Sequence, residues 1–168
     1  RDPTFDETGY TFLCWSENKS DCFDFTTPVT KEINLYPTHE RLNNAVVFDD
    51  ENRVTTVEVP YGDTVEPIAD QGKTGHSFRC WSEDRENCFD FTTPIIQNTT
   101  VYAIYDINKF TVHFIDVNPE TSEQEQYGED QIIDYGNTAT GPDPNPSHTG
   151  YTFSEWKDGE NTYNFETS

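Results

Sequence analysis

The residues of this chain best able to do chemistry are its 4 cysteines and its 32 aspartates and glutamates. The cysteines form two pairs of identical spacing, Cys14 with Cys22 and Cys80 with Cys88. Neighbouring thiols can bond, hold zinc or cycle redox equivalents. Zinc sites and dithiol redox centres typically use C-x-x-C, which is absent, and no histidine lies between the cysteines of either pair. A structural disulfide is the expected chemistry. The carboxylates of Asp49-Asp50-Glu51 and of Glu123 and Glu125 fall in turn-like sequence and read as solvated charge. A catalytic acid needs a low-dielectric cleft to raise its pKa. Clustered Asp and Asn oxygens suit hard cations, but no EF-hand pattern occurs, so weak Ca2+ binding is the most they suggest and no cofactor is expected. His39, His76, His113 and His148 lie in four different contexts and suggest no cluster. Trp15, Trp81 and Trp156 could present a ladder to sugars or peptides, but their fixed place in a recurring motif points to core. Asn18-Lys19-Ser20 and Asn98-Thr99-Thr100 match the N-glycosylation sequon, a match common by chance. No Ser/His/Asp order or glycine-rich phosphate loop stands out, so an enzyme is not expected.

Whatever positions these groups must do so in an unusual polymer. The 168 residues carry a formal charge of -22, with 32% hydrophobic and 14% aromatic residues and no Met. Such a charge repels phosphate backbones and anionic lipid surfaces, which excludes nucleic-acid partners bound by counterion release. No apolar run approaches the length of a membrane span, so membrane insertion is not expected. The sequence opens without Met, a basic n-region or an apolar h-region, and reads as a mature fragment whose targeting signal is not visible. Leu, Ile, Val and Phe make up about a fifth of the chain, near the boundary for disorder. The aromatics argue for folding, because each can bury roughly 150–250 Å².

The aromatics are not scattered. Gly9-Tyr10-Thr11-Phe12-Leu13-Cys14-Trp15 returns as Gly75-His76-Ser77-Phe78-Arg79-Cys80-Trp81 and as Gly150-Tyr151-Thr152-Phe153-Ser154-Glu155-Trp156. Phe23-Asp24-Phe25-Thr26-Thr27-Pro28 returns as Phe89-Asp90-Phe91-Thr92-Thr93-Pro94, with a weaker copy at Tyr163-Asn164-Phe165. The first two copies hold one register from Gly9 to Phe48. The third carries extra residues around Pro119 to Asp130, which read as a surface insertion. Residues 1–43 therefore read as the C-terminal half of a repeat, 44–107 as a complete repeat, and 108–168 as a repeat without its last strand. Phe12, Trp15, Phe25, Phe78, Trp81, Phe91, Phe153 and Trp156 are the expected repeat core. The third copy has Glu155 and Thr162 at the two cysteine positions. Their joint loss favours bonded pairs within repeats, Cys14–Cys22 and Cys80–Cys88.

Local patterning indicates strands. Val57, Val59 and Tyr61 alternate with polar residues, as do Val101, Ala103, Tyr105 and Ile107, and Phe110, Val112 and Phe114. Tyr10 to Trp15 is apolar on both faces, as a central strand would be. The stretches after Tyr61-Gly62 and Tyr135-Gly136 suit a loop or a single helical turn.

The ordered set G-Y-T-F-x-x-W, F-D-F-x-T-P and x-L-Y, carried by Gly9 to Trp15, Phe23 to Thr30 and Leu35-Tyr36 and again by Gly75 to Trp81, Phe89 to Ile95 and Val101-Tyr102, resembles the Listeria–Bacteroides repeat, also called the internalin B-repeat family. The resemblance covers nearly the whole chain. It implies mainly β (α+β) tandem modules with a small β-grasp, ubiquitin-like fold in an elongated array, in secreted or cell-surface bacterial proteins, and no catalytic residues. The cysteine pairs and the acidity depart from the usual family pattern.

Together these readings lead to a non-catalytic stalk, spacer or adhesin segment, extracellular or at the cell surface. It would contact neighbouring repeats of the same chain and an unidentified protein or glycan ligand. The alternative is a self-associating filament or lattice subunit assembled by strand exchange. Two oxidised pairs make the intact mass without reductant four hydrogens lower than the all-thiol mass; four free thiols by mass spectrometry would overturn the disulfides and the oxidising compartment they imply.

Overall fold

A computed structural model describes residues 8–166. Its secondary structure is twelve strands, with no helix among the described residues. The chain divides into two compact units, Arg1–Gln71 with Arg79–Ile104, and Gly72–Phe78 with Tyr105–Ser168.

The largest sheet has the order β4-β3-β6-β5, built from Asn43–Asp49 (β3), Val54–Pro60 (β4), His76–Ser82 (β5) and Thr99–Ile107 (β6). β3 and β4 form an antiparallel hairpin with Val46 opposite Val57. β6 runs parallel to β3, with Phe48 opposite Val101. The period-2 alternation of β3 sends Val46 and Phe48 inward, where both are fully buried with Val101. Phe48 meets the edge of Trp81 at 5.0 Å between ring centroids and stacks parallel to Phe91 at 6.1 Å. Phe91 in turn takes the edge of Phe89 at 4.9 Å. The indole Nε1 of Trp81 donates to the Ile68 carbonyl at 3.0 Å, so the largest buried ring leaves no polar atom unpaired.

The first repeat contributes an antiparallel pair, Tyr10–Ser16 (β1) with Tyr36–Arg41 (β2). Its register shifts between Phe12 and Cys14, a β-bulge. The bulge turns Leu13 outward to 52% exposure. The both-faced apolar pattern therefore marks a bulged strand and not a central one, and its counterpart β5 lies at a sheet edge. Phe25, expected in the repeat core, is 70% exposed. It keeps its edge contact with Phe23 at 5.1 Å, but no described residue stands to it as Phe48 stands to Phe91.

The third repeat rebuilds the same frame in the second unit. Lys109–Val112 (β7) pairs with Gln131–Asp134 (β10), and Val112 faces Gln131 as Val46 faces Val57. Phe114 repeats the role of Phe48: Trp156 lies 5.1 Å away edge-on and Phe165 stacks at 6.3 Å. The extra residues around Pro119 to Asp130 carry Gln124–Gln126 (β9), which pairs as a hairpin with Ile115–Val117 (β8). Lys157–Asp158 (β11) and Asn161–Thr162 (β12) form a second short hairpin.

The stretches after Tyr61-Gly62 and Tyr135-Gly136 are loops. The α component of an α+β module is thus missing among the described residues, and the observed class is mainly β. Emptying the centre of the aromatic trio tests its weight: Phe48→Ala is expected to lower unfolding free energy by about 3–5 kcal/mol in urea titration, the usual loss for a fully buried phenylalanine.

Candidate functional site: the cysteine loops and the repeat junctions

Each cysteine pair closes a loop between the Trp motif and the Phe-Asp-Phe motif. Cys14 and Cys22 are bonded with Cα atoms 5.5 Å apart, and Cys80 and Cys88 with Cα atoms 5.7 Å apart. Beside each bond a backbone hydrogen bond repeats, from Phe23 to the Trp15 carbonyl at 2.7 Å and from Phe89 to the Trp81 carbonyl at 2.8 Å. The third repeat keeps this bond, from Tyr163 to the Trp156 carbonyl at 2.9 Å. In place of the disulfide, the Thr162 hydroxyl donates to the Glu155 carboxylate at 2.6 Å. Closing a loop this short by disulfide contributes about 2.5 kcal/mol on the chain-entropy model.

An anchor inside the loop also repeats, with its chemistry exchanged. In the first repeat Asn18 Oδ1 accepts from the amides of Ser20 and Asp21, both at 2.9 Å, and its Nδ2 donates to Asp21 at 2.7 Å. In the second, Asp84 accepts from the amides of Glu86 and Asn87, and the Asn87 Nδ2 donates back to Asp84 at 2.8 Å. The Asn/Asp pair is reversed while its hydrogen bonds are kept. The fully buried hydroxyls of Ser16 and Ser82 support both anchors from below. The Asn87 side chain first, then the Asn87 and Glu86 amides and the Ser82 hydroxyl, hold the Asp84 carboxyl well below the usual carboxylate range. Asp24 and Asp90 are lowered in the same way by the hydroxyls and amides of Thr26 and Thr92. Beyond the anchor, Lys19 and Arg85 take positive φ and Gly159 does so in the third repeat. This places the Lys19 ammonium 5.0 Å over the ring of Tyr36 and the Arg85 guanidinium 4.0 Å over that of Tyr102.

The second recurring geometry joins one repeat to the next. The Leu42 amide donates to the Gly9 carbonyl at 2.9 Å, and the Tyr61 amide donates to the Leu42 carbonyl at 2.8 Å. The Asn108 amide donates to the Gly75 carbonyl at 2.8 Å, and the Tyr135 amide to the Asn108 carbonyl at 2.7 Å. Gly9 and Gly75 both have positive φ. A Cβ on Gly9 would fall inside the ring of Tyr61, and one on Gly75 inside the ring of Tyr135. Glycine is required here twice over, for backbone conformation and for the ring that covers it. Charged pairs flank each joint. Arg41 donates to the Tyr61 carbonyl and pairs with Asp63, and Lys109 pairs with Asp134 at 2.7 Å. Gly150 has the same positive φ but no atom within 4 Å of its Cβ position.

The other sequence candidates do not converge. His39 lies edge-on to Phe12, while the His76 ring meets the Thr74 carbonyl. His113 pairs with Asp130 at 2.7 Å and His148 with Asp116 at 2.9 Å. Among the described residues no group of three or more His, Cys, Asp or Glu side chains is placed to hold a metal ion. Trp81 is buried and Trp15 and Trp156 half-buried. Phe12 packs on Trp15 at 5.8 Å, Phe78 on Tyr105 at 5.7 Å, and Phe153 on Trp156 at 5.4 Å. Asn98, in the second sequon, accepts from the Ala45 amide at 2.8 Å. Sequence reasoning missed Phe48 and Phe114 as core, although their shared register and strand alternation pointed to them. It also missed the cover of Gly9 by Tyr61, which no local pattern encodes.

The geometry thus defines a tandem-repeat protein whose modules share one frame and one joint. The Listeria-Bacteroides repeat domain matches three times, over residues 1–37, 45–104 and 110–168, and the chain belongs to that family. Two proteins of Evansella cellulosilytica are similar to it. One, named as a membrane protein, is 32% identical over 90% of this chain and 24% of its own length. The other, named as a Gly-rich membrane protein, is 31% identical over 91% of this chain and 18% of its own length. The chain therefore spans about a quarter or less of these relatives. No solved structure matches it at a significant level. Among the described residues no helix is long and apolar enough to cross a membrane.

Gly9, Gly75 and Gly150 form an internal control. An L-residue in the left-handed region costs about 1–2 kcal/mol, and overpacking adds about 1–3 kcal/mol. Gly150→Ala is expected to lose only the first, and Gly75→Ala both, in chemical denaturation; equal losses would show that the tyrosine cover is not a working part of the joint.

Proposed function

We propose that this chain is a non-catalytic spacer segment of a bacterial cell-surface protein, in which successive modules are joined in a fixed way so that the segment acts as a stalk. The observation that carries this reading is the joint itself. Two joints, at different places in the chain, use the same glycine, the same two backbone hydrogen bonds and the same tyrosine cover. A connector reproduced atom for atom suits a chain that adds modules one after another. Two relatives named as membrane proteins and the disulfides support a location outside the cytoplasm. The charge of -22 supports a spacer that stays soluble and repels its neighbours.

We infer that each module is a β-grasp variant. In the order β4-β3-β6-β5 the central pair is parallel and β4 flanks it antiparallel, and a loop takes the place of the usual crossing helix. Small-angle scattering tests the stalk. A compact globule of this length would have a radius of gyration of about 15 Å. A value well above this, with an elongated distance distribution, is expected; a sphere-like profile would overturn the reading.

A further inference from the structure

The loop between the tryptophan and phenylalanine motifs is built three times, and its third copy differs at one peptide bond. Counted back from Phe89 and Tyr163, Asp158 stands where Asp84 stands, Gly159 where Arg85 stands and Asn161 where Asn87 stands. Asp158-Gly159 is the single Asp-Gly step of the sequence, which has no Asn-Gly step. A glycine after an aspartate leaves the intervening backbone nitrogen with no Cβ crowding it. That nitrogen can then reach the aspartate's own side-chain carbonyl carbon, and attack there closes a five-membered succinimide ring.

Three features that hinder this reaction in the first two copies are gone from the third. The Asn18 and Asp84 side chains are held by the amides two and three residues on. The Asp158 side chain takes no hydrogen bond or ion pair among the described residues, and Asp158 makes only its strand pairing with Asn161. Lys19 and Arg85 carry long side chains that lie over Tyr36 and Tyr102, whereas Gly159 carries none. Finally, disulfides close both earlier loops. Asp158 instead lies in a hairpin of two residue pairs, Lys157 with Thr162 and Asp158 with Asn161, all four exposed. A two-stranded hairpin is marginal on its own, and exposed elements with few contacts open locally at little cost. Opening frees Asp158 to rotate into the geometry of ring closure.

We propose that Asp158-Gly159 is a site of spontaneous aspartyl isomerisation, and that the modification releases the third loop. The Gly159 nitrogen bonds to Asp158 Cγ, and the amide proton and the hydroxyl of the protonated carboxyl leave as water. Water then adds to the ring at one of its two carbonyls. Addition at Cγ restores aspartate. Addition at the main-chain carbonyl breaks its bond to the Gly159 nitrogen and leaves that carbonyl as the free carboxylate. The chain then runs through Cγ, unchanged in mass but one methylene longer. The added carbon breaks the register of Lys157 with Thr162, which holds the Thr162 hydroxyl 2.6 Å from Glu155. The reaction consumes only solvent water, and it is independent of the spacer reading.

The test ages the full oxidised chain for weeks at neutral pH, then unfolds it and digests it with an endoprotease that cuts before aspartate but not before isoaspartate. Loss of cutting at Asp158 is expected, with the fragment 143–168 accumulating at its unchanged mass, while cutting at Asp84 stays complete. Aged chain is also expected to take up labelled methyl groups from an isoaspartyl methyltransferase, and Asp158→Glu, whose ring would be six-membered, to lose most of that uptake. Arg85→Gly places the same step in a disulfide-closed loop, at a position whose positive φ suits glycine. Cutting at Asp84 is expected to stay complete in this variant too. Equal losses at Asp84 and Asp158 would show that the dipeptide alone decides, and complete cutting at Asp158 after ageing would show no reaction; either overturns the proposal. The Tyr163 amide, bonded to the Trp156 carbonyl at 2.9 Å, is expected to lose hydrogen-exchange protection in the isomerised chain. Unchanged protection there would overturn the release of the loop.

Discussion

One phenyl ring, held between an indole edge and a second phenyl face, organises the second and third repeats. Phe48 meets Trp81 and Phe91 from the Gly-aromatic-Trp and Phe-Asp-Phe motifs, and Phe114 meets Trp156 and Phe165 in the same way. The chain has too few aliphatic residues for a broad core, so burial is concentrated in large flat groups that gain both apolar area and favourable edge-to-face geometry. The trio brings together residues far apart in sequence, and each member arrives on a different element. The stretch that bears the central phenylalanine, the stretch that bears the tryptophan and the loop that bears the second phenylalanine must all be in place for it to close.

The remaining devices hold those elements in place. The disulfide or the Glu155–Thr162 bond fixes the spacing between the tryptophan and phenylalanine motifs. The Asn18/Asp21 and Asp84/Asn87 anchors shape the loop between them, and the Lys19 and Arg85 side chains lean back over the tyrosine of the last strand. Each device is modest and exposed, and surface charge pairs contribute little on their own. Their recurrence at matching positions is what gives the module its definition.

Much of this was legible in the residues. The threefold motif, the strand that carries Val57 and Val59, the strand that carries Phe110 and Val112, and the pairing of each cysteine with its partner all follow from spacing within one chain. Other features depend on contacts that sequence spacing does not encode. Tyr61 reads locally as the end of a strand, and nothing nearby says that its ring will lie over Gly9. Leu13 reads as the second apolar face of a central strand, whereas a bulge turns it to solvent. Phe25 matches Phe91 residue for residue, yet the one lies exposed and the other stacks on a buried ring, because a motif specifies a side chain and not the neighbour that covers it. The loop after Tyr61 was open between coil and a single turn, and its proline-containing sequence settled as coil.

The substitution of the cysteine pair by Glu155 and Thr162 gives one chain two kinds of fastener that answer to different solution variables. A reductant would open the first two loops and leave the third untouched. The Thr162 hydroxyl first, then Lys157, lowers the pKa of Glu155 in the folded state. Its contribution is therefore present above the ordinary glutamate pKa and fades as the solution is acidified through the lowered value. Acid below the ordinary glutamate range would weaken the third fastener while the covalent ones hold. Modules of nearly the same shape can in this way be released separately, one set by electrons and the other by protons.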